Sequence, residues 1–198
     1  MMGNNYNLPL QFEIDNQPFR IRNKGDFRTV FSCFNILYDN ELSELEKTLV
    51  CLMVFYEDFN DVDDVLKCPY REELIKKMLW FFDCGQDYTE TKQQVKLIDW
   101  DADANLICSA INNVAGKEIR SEENLHWWTF VGYYMAIGDC ALSNIVAIRS
   151  KIAKGEKLEK HEKKFKSENP QYFNIDYRTH DDKATDEWLE ALWNGGAN

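Results

Sequence analysis

Residues 125–137 read Leu125-His126-Trp127-Trp128-Thr129-Phe130-Val131-Gly132-Tyr133-Tyr134-Met135-Ala136-Ile137. A surface helix carries one apolar stripe, whereas this segment is apolar nearly all round, which predicts a helix buried on most sides. Ser121 is placed to cap its start, with Glu122 and Glu123 near the positive end of the helix dipole. Gly138 is placed to stop it. Aromatic side chains bury about 150–250 Å² each, so this helix should hold several neighbours together.

Working outward, the neighbours are helical too. Phe27, Val30, Phe31, Phe34, Leu37 and Tyr38 recur at three- and four-residue spacing after a cap at Asp26, up to Asn40. Ser43-Glu44-Leu45-Glu46 is a capping box for the next helix, which carries Leu45, Leu49, Leu52, Met53, Phe55 and Tyr56. Joined by a short loop, the two should form an antiparallel pair. Arg71–Cys84 gives a further helix with Gly85 as its stop, and Leu106–Val114 another, ending at Gly116. Residues 141–153 add one more, and the chain then turns basic from Arg149 to Lys166. There Glu159–Lys163 and Glu162–Lys166 have ion-pair spacing. Residues 57–72 are acidic and read as a solvated loop, and Gln86–Lys96 is the best internal linker.

The one β signal lies near the start. Gln11–Asp15 and Pro18–Arg22 alternate apolar with polar around Asn16-Gln17, which predicts a hairpin. A lone hairpin is marginal in water, so Phe12, Ile14, Phe19 and Ile21 should lie on the helical body. The fold expected is mainly α: a compact bundle of about six to eight helices with an N-terminal β-hairpin. It is read as one domain over 1–198, with tail and hairpin in 1–24, the helical body in 25–169 and a C-terminal extension in 170–198. In that extension Trp188, Leu189, Leu192 and Trp193 share one side of a short terminal helix that must dock on its own body or on a partner, which makes them the candidate partner-binding face.

Composition narrows the function. The net charge of −11 lacks the basic footprint of a general nucleic-acid binder. No apolar run reaches the ~20 residues that span a bilayer, and no signal peptide is present at the start. The six cysteines are dispersed, without a C-x-x-C or a nearby histidine. Cys33, Cys51, Cys84, Cys108 and Cys140 lie in helical patterns, where they read as reduced, buried core thiols. Asp99–Asn105 has a calcium-loop look, but an EF-hand needs Gly at the sixth position and a carboxylate at the twelfth. Ala104 and Ala110 stand there. The carboxylates instead suit a helix N-terminus. No Gly-rich phosphate loop or nucleophile elbow occurs, and His126 reads as structural rather than as a base. No catalytic, metal or cofactor residues are therefore expected, and the chain reads as a non-enzyme.

Four stretches together carry a resemblance. They are Asp26-Phe27-Arg28; Trp80-Phe81-x-x-Cys84-Gly85; Asp101-Ala102-Asp103; and Leu125-His126-Trp127-Trp128-x-Phe130 followed by Ile145 and Arg149. Their order and spacing over residues 20–165 resemble the bacteriophage gene-product-fifteen family, encoded in tail-morphogenesis clusters of long-tailed phages of Gram-positive bacteria. The segment after Asn169 departs from that pattern. The resemblance implies a tail-assembly chaperone, or its companion, that binds the tape-measure protein and other tail proteins in the host cytoplasm and is left out of the virion. The alternative is a structural component of the mature tail or its connector. Self-association is open on either reading; nucleic-acid and membrane partners are not expected.

Overall fold

The computed structural model describes residues 7–39, 41–86 and 97–174. Among them the chain is mainly α, with eight α-helices and one two-stranded antiparallel hairpin. Its contacts gather into two units, residues 1–89 with 122–132, and residues 90–121 with 133–198.

In the first unit β1 (Gln11–Ile14) pairs with β2 (Gln17–Arg20), Phe12 opposite Phe19. The turn is Asp15-Asn16, not Asn16-Gln17. Both residues adopt positive φ, 50° and 64°, as a two-residue hairpin turn of matching twist demands, and Asp and Asn tolerate that region best after Gly. As the alternation requires, Phe12, Ile14, Phe19 and Ile21 are buried. They sit against aromatic rings: Phe12 meets Tyr56 and Trp80, and Phe19 meets Tyr56, Phe59 and Tyr70.

Helices α1 (Phe27–Leu37) and α2 (Glu44–Phe55) pack as the expected pair. Asp26 caps α1 through the Arg28 N–H, 2.9 Å. The Ser43/Glu46 capping box opens α2 as read from sequence. Arg22 closes α2: its Nε and Nη2 donate to the carbonyls of Val54, Met53 and Tyr56 at 2.8–3.0 Å, so the orphan acceptors of the last turn are met by one cation.

The acidic stretch is not a plain loop. It contains α3 (Val62–Lys67), because Asp61 caps it by accepting from the Asp64 N–H and Val65 is buried beneath it. Asp58 holds β2 by accepting from the Arg20 backbone N–H at 2.6 Å. α4 (Arg71–Phe82) follows, with Leu74, Ile75, Met78 and Phe81 inside.

The second unit contains α5 (Ala104–Ala115), α7 (Ala141–Ala153) and α8 (Lys160–Glu168). Ile145, Ile148 and Phe173 form its buried cluster, joined by Leu106, Ile152, Leu158, Phe165 and Tyr172. Glu162 pairs with Lys151 at 2.6 Å and accepts from the Glu159 N–H at 2.7 Å, rather than serving Lys166 as the spacing suggests.

The segment expected to be buried all round is shorter and more exposed. The helix, α6, spans Trp127–Met135, and the division between the units falls after Gly132. Only Trp127 and Phe130 within it are buried, and Met135 is 76% exposed. Ser121 lies in a separate 3-10 turn and donates to the Glu118 carbonyl, so it does not cap α6. Apolar composition alone could not tell which half of the segment meets a core.

The terminal-helix residues Trp188, Leu189, Leu192 and Trp193, and linker residues 87–96, lie outside the described residues.

Candidate functional site

In the first unit three of the four motif stretches converge. The Asp26 carboxylate, 3% exposed, is shared. Oδ1 accepts from the Arg28 N–H, Oδ2 accepts from the Leu125 N–H at 2.7 Å, and the Arg28 guanidinium pairs with both oxygens at 3.0–3.2 Å. The Phe27 N–H returns to the Leu125 carbonyl at 3.0 Å, and Arg28 Nη2 reaches the Glu122 carbonyl at 3.1 Å. A buried carboxylate must have such partners, and these fix residues 122–126 to the start of α1. Phe27 then stacks on Phe130, centroids 4.6 Å apart.

His126 is the residue before α6 and acts as its cap. Its Nδ1 accepts from the Trp128 N–H at 3.1 Å. Nδ1 therefore carries the lone pair, and Nε2 carries the hydrogen that faces the Pro9 carbonyl at 3.1 Å. Burial lowers the His126 pKa, which keeps the ring neutral. Both ring nitrogens are spent on backbone groups, as suits a structural residue.

The two tryptophans finish α4. Trp127 Nε1 donates to the Phe82 carbonyl at 2.8 Å and Trp128 Nε1 to the Phe81 carbonyl at 2.9 Å. The Gly85 N–H bonds the Trp80 carbonyl and the Cys84 N–H the Phe81 carbonyl, a Schellman arrangement. So the expected stop at Gly85 is a two-residue stop: Cys84 takes the left-handed position at φ 54°, and Gly85 follows at φ 83°. A Cβ on Gly85 would lie 2.9 Å from the Trp128 ring. A Cβ on Gly25 would lie 2.7 Å from Phe81 and 3.0 Å from His126. Glycine is what lets the stretches close on one another.

In the second unit Asp103 and Arg149 meet. Both are buried, and the guanidinium pairs with the carboxylate at 2.6 and 2.9 Å. Arg149 also donates to the Leu97 and Tyr172 carbonyls, and Asp103 accepts from the Asp99 N–H. The two sequence readings are corrected: Arg149 does not begin a solvated basic run, and Asp103 serves an ion pair rather than the dipole of α5. Asp101 is exposed, and Asp99 accepts from its N–H and that of Ala102 in a turn. Ile145 is in the buried cluster. Arg22, outside every quoted motif, was missed; a lone arginine after a strand gives no hint of the helix end it closes.

Of the helical cysteines only Cys33 and Cys51 are buried, not Cys84, Cys108 and Cys140. Cys33 and Cys51 each point a thiol at the other's carbonyl. Partial burial and the Asp83 carboxylate push the Cys84 thiol up to about 11, so it is a poor nucleophile.

Fold and motif clusters define a helical protein whose signature side chains are consumed by holding its own backbone. Residues 5–173 match the family model described as Bacteriophage Gp15 protein. The chain belongs to that family, and so among phage structural or assembly proteins. No curated protein and no solved structure gives a match. No helix among the described residues is long and apolar enough to cross a membrane.

Proposed function

We propose that this protein is a non-enzymatic tail-assembly factor, a chaperone or its companion, which binds the tape-measure protein while the phage tail is built. One observation carries the reading. The polar motif residues Asp26, His126, Trp127, Trp128, Asp103 and Arg149 are all engaged with the protein's own atoms. What these residues build in this chain is a shape, and a shape serves binding. A tape-measure protein is a long helical chain with much apolar surface, and before assembly it needs a soluble companion. An acidic helical protein of this size suits that role in the host cytoplasm.

The test is a pull-down from infected cells followed by mass spectrometry of purified virions. The tape-measure protein should be retained on the tagged chain, and the chain should be missing from finished particles. Its presence in virions at a stoichiometric level would favour a structural tail or connector component instead.

A further inference from the structure

The two edges of the hairpin are unlike. On β2, Pro18 has no N–H, the Arg20 N–H is taken by Asp58, and the Arg20 carbonyl accepts from the Glu57 N–H at 2.9 Å. That edge is closed. On β1, ladder bonds alternate from residue to residue. Ile14 and Gln17 flank the turn, and the Leu10 carbonyl accepts from the Ile21 N–H at 2.9 Å. Leu10, Phe12 and Ile14 therefore face β2, and the N–H and C=O groups of Gln11 and Glu13 face outward. Both residues are exposed, and among the described residues their backbone groups have no partner. Beside them Leu8 and Leu10 expose apolar side chains, 44% and 49%. Natural sheets blunt such an edge with brevity, charge, proline or a bulge; β1 is short and carries Glu13, and the Pro9 carbonyl before it is taken by His126, so the open stretch is Gln11 to Glu13.

We infer that the outer edge of β1 is a self-association surface, on which β1 of a second copy adds antiparallel across a two-fold axis at Phe12. The occupant follows from complementarity. In that register Gln11 lies opposite the second copy's Glu13, and Glu13 opposite its Gln11. All four outward residues then meet as hydrogen-bonded pairs. An amide faces a carboxylate twice, and no carboxylate faces another. A two-fold contact closes on itself, so the product is a dimer with a four-stranded sheet rather than a fibre.

The experiment is sedimentation of the full-length chain over a wide concentration range. Wild type should show a monomer–dimer equilibrium. Gln11→Glu sets two carboxylate pairs in opposition and should weaken the dimer about tenfold at low salt, while Gln11→Lys should tighten it by a similar factor. Glu13→Pro removes an outward donor together with the carboxylate that faces Gln11 and should abolish the dimer; should it unfold the hairpin, the Gln11 pair of variants still decides. A chain that stays monomeric throughout, or a dimer indifferent to both Gln11 changes, overturns the inference. Neither result bears on capture of the tape-measure protein.

Discussion

Arg149 and Asp103, 46 positions apart in sequence, form a bidentate ion pair at 2.6 and 2.9 Å inside the second unit. A guanidinium has five N–H donors, and every one is used: two on the carboxylate, one on the Leu97 carbonyl and two on the Tyr172 carbonyl. The pair ties the segment before α5, helix α7 and the residues after α8 into one knot. Breaking a buried pair leaves an uncompensated charge, which costs about 3–5 kcal/mol. Arg149→Met or Asp103→Asn should each lower stability by that order in urea denaturation. The double variant should be less damaged than the sum of the two.

Gly25 should be far less replaceable than Gly116. Both have positive φ, 74° and 68°, so alanine strains the backbone at each by about 1 kcal/mol. At Gly116 nothing lies within 4 Å of the new methyl, whereas at Gly25 it would press on Phe81 and His126. Overpacking adds roughly 1–3 kcal/mol. Thermal melts of Gly25→Ala and Gly116→Ala should differ in that sense.

The indole hydrogens of Trp127 and Trp128 should each matter beyond ring packing. Trp127→Phe and Trp128→Phe keep an aromatic ring but take the indole donor from the Phe82 carbonyl and from the Phe81 carbonyl, the latter keeping the Cys84 N–H. Each should cost about 1–2 kcal/mol, measurable as a lowered denaturation midpoint.

His126 should make stability acid-sensitive. Its folded pKa lies below the unfolded value of about 6.5. The unfolded state therefore takes up a proton first, so stability is fully present above pH ~6.5 and is lost as pH falls from there through the folded pKa. Protonation also destroys the Nδ1 acceptor that caps α6. The difference in stability between wild type and His126→Asn, which can cap without titrating, should shrink as pH falls below 6.5. A pH-independent difference would contradict the lowered folded pKa.

Local signals in this sequence were legible where chemistry and spacing sit together. Ser43 and Glu46 are three residues apart and form the box their types suggest, and Phe12, Ile14, Phe19 and Ile21 are buried as alternation demands. The hairpin turn slipped by one position because Asp15 fits both an alternating strand and a left-handed turn. Arg149 was hidden by its company: at the head of a lysine-rich run it looks solvated, and its carboxylate partner is far back in the chain. The Trp-rich segment showed the opposite weakness. Its composition announced burial, but burial depends on what lies across from each residue, and Met135 is 76% exposed.

The central claim is that these motifs build a scaffold for holding another phage protein rather than a reaction centre. Its most direct measurement is the soluble fraction of the tape-measure protein expressed with and without this chain. A marked rise in soluble tape-measure protein, reduced with the destabilised Arg149→Met variant, is the result expected. A soluble fraction unchanged by the wild-type chain would contradict the account.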